Sequence, residues 1–411
     1  MSTIAIVGGS LAGTQAAQAL RRADYDGSLI MVGDEPHYPY DRPPLSKNYL
    51  VDEVADEERL RLRPTADPEA LGIDWRLGRT ATALAPSLTE LTLDNDETIA
   101  FDGLVVATGA RPRRLPGADG LPGGVCELRT LDDARAVRAA LAAGPGRVVV
   151  CGAGFIGAEV AASARSLGLA VTLVDAAEVP LDRVLDRDAG MAVADLHRGH
   201  GVDVRLETGV AGFEERTDGS GQVAAVVLTD GTTVPADLVI IGIGVVPNTD
   251  WLTGSGLQID DGVVVDQTCL AAAGQSGLVV AAGDVARFPN ARFGGTPMRI
   301  EQWDNAVEMG MYAGKRLLAA LNDQPAPDPF APVPWFWSDQ YDRKIQLAGL
   351  VADHAEVVQG SFAEQRFVQL YADGDGRFTG ALCWNRPRQA IIARQLIAGD
   401  EPLEVARERL A

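Results

Sequence analysis

Residues 147–175 read RVVVCGAGFIGAEVAASARSLGLAVTLVD, and the fold turns on this stretch. Arg147 to Cys151 is a short, Val-rich apolar run, the pattern of a buried parallel strand. Gly152-Ala153-Gly154-Phe155-Ile156-Gly157 follows at once. Small apolar residues then recur at helical spacing from Glu159 to Leu167, and Gly168 stands where a helix would stop. Ala170 to Val174 is a second strand, ending on Asp175. The first glycine allows the tight turn, the second lets backbone approach a pyrophosphate, and the third lets helix and strand pack closely. The phosphates would meet free N–H groups and the positive end of a helix dipole. Asp175 lies 23 residues after Gly152, about where a carboxylate binds a ribose 2′-OH. A lone G-x-G-x-x-G could be a tight strand-to-helix turn with no ligand. Here the strand, the helix and the acid are all in place, and the stretch reads as a dinucleotide site. Ala176, Ala177 and Glu178 follow, with no Arg to receive a 2′-phosphate, which favours NAD over NADP.

A second glycine turn opens the chain. Residues 3–13, TIAIVGGSLAG, give a strand and the turn Gly8-Gly9-Ser10-Leu11-Ala12-Gly13, with Ser10 in the middle glycine's place. Its hydroxyl could itself donate to a phosphate. Thr14 to Arg22 reads as the following helix and Ser28 to Val32 as the next strand. Asp34, 26 residues after Gly8, is the candidate ribose ligand. Two such units in one chain imply two dinucleotides. An enzyme often needs a nicotinamide as hydride donor and a tightly held flavin as acceptor.

Composition narrows the choice. A chain of 411 residues holds two or three domains. It carries 36 Lys and Arg against 57 Asp and Glu, a net charge of −21, which argues against nucleic acid or an anionic membrane as partner. The start runs straight into a strand with no signal-like segment, and no run is suited to cross a bilayer. The expected location is the cytoplasm. Cys126, Cys151, Cys269 and Cys383 form no C-x-x-C pair, so neither a redox disulfide nor a metal site is expected.

Elsewhere, the Pro-rich segment 36–47 reads as a rigid loop, with Lys47 singled out. Residues 104–107 read as a strand, and 111–117 and 242–248 as crossovers between domains. Arg129 precedes a helix. A helix is expected around 189–199, then three strands at 202–206, 221–229 and 233–241. A strand at 278–282 ends near Asp284, whose carboxylate could bind a sugar-like chain. Residues 298–321 read as one long helix with its approach, its N-terminus near Gln302 and Trp303 offering a positive dipole end. A Pro-rich linker at 323–334 leads to an aromatic-dense segment and a small antiparallel sheet with a closing helix near 390–397. The fold class is therefore α/β: two Rossmann-like dinucleotide-binding domains plus a C-terminal α+β domain. The expected boundaries are 1–110 with 243–322, then 111–242, then 323–411.

The assembled motifs are VGGSLAG at 7–13, VGDEPHYPYDRPPLSK at 32–47, ATGARPR at 107–113, CGAGFIGAEVA at 151–161, GIGVVPN at 242–248, AAGDVARF at 281–288 and PWFWSDQYDRKIQLAG at 334–349. With them the chain resembles the flavoprotein ferredoxin reductases of bacterial P450 and Rieske-oxygenase systems, in the glutathione-reductase-like superfamily. Ser10 departs from that family's glycine pattern. The resemblance implies FAD contacts from Ala12, Asp34, Lys47, Ala81, Arg129, Asp284 and Trp303, alongside the turn residues Gly8, Ser10 and Gly13. It implies NAD contacts from Gly152, Gly154, Gly157, Glu159 and Asp175. It also implies a catalytic pair, Lys47 with Glu159, beside the flavin. The implied activity is electron transfer from NADH through FAD to a [2Fe–2S] ferredoxin, by a monomer or weak dimer.

Disulfide reductases and thiol-based NADH oxidases need a cysteine beside the flavin, and residues 36–50 contain none. A rubredoxin reductase would differ mainly in its acceptor. An NADH-sensing flavoprotein of the apoptosis-inducing-factor type would use NADH to drive association. An acidic ferredoxin would need a local basic cluster on this acidic chain, with Arg42, Arg343 and Lys344 as candidates.

Overall fold

A computed structural model of the chain describes residues 2–62, 71–115, 120–274 and 277–411. Pro116 and Gly117 of the first expected crossover lie outside the described residues. The chain divides into two compact units. One comprises 1–41, 57–111 and 246–336, the other 42–56, 112–245 and 337–411.

The first unit is built on a sheet in the order Leu270–Gly274, Gly277–Ala281, Gly103–Val106, Thr3–Val7, Ser28–Gly33, Ile73–Leu77. All neighbours are parallel except the first pair. The continuous apolar runs of these strands are what a sheet covered on both faces requires. Ile4, Ile6, Met31, Leu104 and Val105 sit in the core with Leu20, Met309 and Leu317 from the helices.

Two helices of this unit, Leu11–Arg22 and Trp303–Leu321, pack unusually closely. Small residues make this possible. A Cβ at Gly310 would lie 2.4 Å from the Ala12 carbonyl oxygen, and one at Gly314 would lie 2.7 Å from that of Ala16. The long helix begins at Trp303 with Gln302 as its N-cap, where the sequence placed its N-terminus. Its approach includes the short strand Pro297–Met298, in which Met298 pairs antiparallel with Phe288.

The second unit contains the parallel sheet Asp203–Arg205, Ala170–Val174, Arg147–Cys151, Leu238–Ile241, Val125–Glu127. The run 233–241 is not one strand. Thr233–Pro235 joins the antiparallel sheet of Val210–Glu215 and Val223–Leu228, while Leu238–Ile241 joins the parallel one. Pro235 has no N–H for a ladder, so the chain changes sheets there. A further sheet runs Trp335–Gln340, Arg343–Gly349, Phe378–Trp384, Arg366–Ala372, His354–Ser361. Helices Pro387–Ala398 and Leu403–Leu410 close the chain. The aromatic segment 335–340 is thus itself a strand, with alternate residues buried.

Helix Arg187–Gly199 is tied to this last sheet at both ends. Its N-cap Asp186 accepts from the Tyr371 hydroxyl at 2.5 Å and the Gln369 amide at 2.8 Å. Near its other end, buried His197 meets Gln340 and Tyr341.

Two outcomes follow from this packing. Gly310→Val should destabilise the protein by at least about 2 kcal/mol, because the new side chain meets rigid backbone. A urea midpoint equal to wild type would show that the helices separate freely. Burial also pushes the His197 imidazole down to about 4 from its ordinary 6.5. Between those values the unfolded chain binds the proton and the folded one does not, so stability rises with pH across that window. Acidifying from 6.5 towards 4 should cost up to about 3 kcal/mol. His197→Gln should show a flatter thermal-stability profile over the same range.

Candidate functional site

The two glycine turns share one geometry. Gly8 and Gly152 have φ of 122° and 104°, which only glycine adopts without strain. A Cβ at Gly8 would lie 2.0 Å from the Ala107 carbonyl oxygen, and one at Gly152 would lie 2.3 Å from that of Gly242. The third glycines fold back on the first: a Cβ at Gly13 would meet the Gly8 oxygen at 2.1 Å, and one at Gly157 the Gly152 oxygen at 1.8 Å. Around Gly154 nothing lies within 4 Å of that position, so the backbone ahead of helix Phe155–Ser166 is open to an anion. Ser10 is the N-cap of helix Leu11–Arg22, and its side chain makes no capping hydrogen bond. Both turns therefore have the geometry that suits a pyrophosphate, a glycine-tight turn leading into a helix N-terminus.

The expected acids stand at the ends of the second strands. Asp34 follows strand Ser28–Gly33. Asp175 follows Ala170–Val174, and its carboxylate accepts from the N–H groups of Ala153, in the turn itself, and of Ala177 at 2.8 Å. In the first unit, Ala12, Gly283 and Ala306 converge: a Cβ at Gly283, whose φ is 77°, would lie 3.0 Å from the Ala12 Cβ and 3.8 Å from that of Ala306. Asp284 is the next residue of that turn. Trp303 donates its indole N–H to Asp41 at 2.7 Å, and Ala81 begins a strand. In the second unit, the Arg129 carbonyl accepts from Arg42 at 2.8 Å.

Lys47 and Glu159 meet within the second unit. Helix Phe155–Ser166 carries Glu159, only 3% exposed. Its Oε2 accepts from Lys47 Nζ at 2.7 Å and from Ser46 Oγ at 2.5 Å, and its Oε1 accepts from Ser338 Oγ at 2.8 Å. Ser163, one turn on, donates to the Ser46 carbonyl at 2.8 Å. The Pro43–Ser46 turn of the Pro-rich loop is thus held against one helix face. Burial holds the Glu159 carboxyl above its ordinary range, although the Lys47 ammonium and the two hydroxyls pull it down. Three donors, one of them cationic, are the surroundings of a carboxylate and not of an acid.

Ser46, Ser163 and Ser338 went unread in the sequence. The i,i+4 pair Glu159 and Ser163, polar on a helix of small apolar residues, was the available signal. The proposed basic cluster does not form as a free patch. Arg343 pairs with Asp342 at 2.6 Å and Lys344 with Asp339 at 2.7 Å, and consecutive strand residues point to opposite faces. All four cysteines are free. Burial pushes the thiols of Cys151 and Cys383 up to about 12 and raises that of Cys269 as well, so these three are inert.

Removing Glu159 would leave the Lys47 ammonium without its counter-charge, held to the Pro43 carbonyl at 3.1 Å. Glu159→Leu should therefore cost about 3 kcal/mol, measured by urea unfolding. Glu159→Gln, which keeps one amide oxygen to accept from these donors, should cost less.

Comparison with known proteins agrees with this arrangement. The profile of the pyridine nucleotide-disulphide oxidoreductases matches residues 2–310, and that of the reductase C-terminal domain matches 335–411. Putidaredoxin reductase of Pseudomonas putida is 38% identical over 405 residues, covering 98% of this chain and 93% of the relative. The ferredoxin–NAD(+) reductase component of the anthranilate 1,2-dioxygenase system of Burkholderia cepacia is 39% identical over 396 residues, covering 96% and 93%. The crystal structure of the covalent putidaredoxin reductase–putidaredoxin complex matches with a TM-score of 0.89 at 37% identity, over 98% of this chain and 94% of that one. With two glycine turns built to one plan and these relatives along its whole length, the chain belongs to the pyridine nucleotide-disulphide oxidoreductase family, as an FAD- and NAD(H)-dependent oxidoreductase.

Proposed function

We infer that this chain passes electrons from NADH to a [2Fe–2S] ferredoxin serving a P450 or Rieske oxygenase. The observation that carries the reading is full-length similarity to named ferredoxin reductases, joined to a core without a redox disulfide. FAD, when bound, takes two electrons as a hydride and returns them one at a time.

The chain's residues supply position and charge. In the first unit, Gly8, Ser10, Ala12 and Gly13 would receive the FAD pyrophosphate, Asp34 a ribose, and Asp284, Ala81 and Trp303 the remainder. In the second unit, Gly152, Gly154, Gly157 and Asp175 would hold NADH. Lys47 would present its ammonium to the flavin, with Arg129 also on that cofactor, and Glu159 would fix the ammonium and orient the nicotinamide. The expected state is a monomer or weak dimer in the cytoplasm. No described helix is long and apolar enough to cross a membrane. The expected domain division is 1–110 with 243–322, 111–242 and 323–411.

Anaerobic NADH-driven cytochrome c reduction, with and without a [2Fe–2S] ferredoxin from the same source, tests the acceptor. A large ferredoxin-dependent rate is expected. A slow rate despite a bound, NADH-reducible flavin would overturn it and favour an NADH-sensing role. Lys47→Ala should slow flavin reduction by NADH by roughly tenfold or more, followed by stopped-flow absorbance. An unchanged rate would remove Lys47 from the mechanism.

A further inference from the structure

The polar contacts of Glu159 do not stop at Ser338. Gln340 Nε2 donates to Ser338 Oγ at 3.1 Å. His197 Nε2 lies 3.1 Å from Gln340 Oε1, and His197 Nδ1 lies 3.0 Å from the Tyr341 hydroxyl. Ser338, Gln340 and His197 are each 0% exposed. Water does not compete along this run, so each group must be satisfied by its neighbour.

Proton counting fixes its direction. An ionised Glu159 only accepts, so Ser338 spends its single proton on it. The Ser338 oxygen must then accept, which sets the Gln340 amide with its NH2 towards Ser338. The Gln340 oxygen therefore faces His197, and Nε2 of that ring must carry the proton. Nδ1 is left with a lone pair and accepts from Tyr341. Every donor along the run points towards Glu159.

We propose that His197, as the Nε2–H tautomer, is a positioning residue that holds the Glu159 carboxylate in line for Lys47 through Gln340 and Ser338. Burial keeps the ring neutral, since it lowers the imidazole to about 4. Tyr341, at the hairpin between Trp335–Gln340 and Arg343–Gly349, sits at φ 56°, a conformation costly for an aromatic residue. That conformation coexists with its hydroxyl on His197 and its ring stacked on His200, 3.6 Å between centroids and 5° between planes. Asp186 already ties the same helix to the same sheet, so the polarised run is more than that docking requires. The functional part of the proposal rests on the assigned role of the Lys47–Glu159 pair.

The test uses the FAD-loaded protein. Selective 15N-histidine labelling, with only four histidines in the chain, reads the tautomer at pH 7. Nε2–H with unprotonated Nδ1 is expected, and Nδ1–H would overturn the proposal. Lys47 acetylation by acetic anhydride, followed by mass spectrometry, reads the ammonium end. His197→Phe should raise its rate about threefold or more, the scale of one weakened hydrogen bond to a charged group. His197→Gln, which can donate from a similar place, should restore it. Flavin reduction by NADH should slow and recover in parallel. A lowered melting temperature with Lys47 reactivity unchanged would mean that His197 only docks its helix. Gln340→Leu, which breaks the run at another point, gives the same readouts if His197→Phe fails to fold. If Lys47→Ala leaves flavin reduction unchanged while the tautomer and acetylation results hold, the pair's assigned role fails and the positioning run stands.

Discussion

The buried carboxylate of Glu159 is the constraint on which the second unit depends. Taking a charge out of water costs several kcal/mol even after relaxation. That cost is offset only if the lone pairs are met by good donors. Lys47, Ser46 and Ser338 meet them, and they come from a Pro-rich turn and an aromatic strand. One charge therefore registers three distant stretches of chain. A loop with Pro36, Pro39, Pro43 and Pro44 ahead of Lys47 has few conformations to lose, which lowers the entropy of holding Lys47 in place.

The glycine turns work by a different principle, exclusion. Their first and third glycines are required because backbone oxygens stand where a Cβ would be. The middle position is required only to stay small, and that explains why the two turns differ there. Gly154 has open space around it, and Ser10 can replace such a glycine because its side chain is short and is not used in capping. The departure from the glycine pattern is thus compatible with the turn it sits in.

The family name includes disulphide chemistry, yet this chain carries none of the means for it. Cys151, Cys269 and Cys383 are buried among apolar neighbours, where a thiolate is disfavoured. Cys126 is free and its thiol is also raised by burial. The scaffold retains nucleotide turns and presents a lysine–glutamate pair in its second unit. The same fold can host different redox chemistries because the chemistry resides in a few side chains set on it.

Local pattern determined much of this protein. The strands at 3–7, 147–151 and 170–174, the two glycine turns and the acids that follow them were legible because each is encoded by neighbours along the chain. The pattern places helix starts at Thr14 and Glu159, and the helices begin at Leu11 and Phe155, because the turn residues themselves open the helix. The run 233–241 reads as one strand but divides between two sheets, because periodicity does not say which sheet a strand enters. The pairing of Lys47 with Glu159 came from a family resemblance and not from spacing. The surroundings of that pair only the tertiary structure decided. Ser46 and Ser338 lie 113 and 179 positions from Glu159, and His197 reaches it only through residues of another sheet. A buried polar group must find its partners wherever folding brings them, and no local period records where that is.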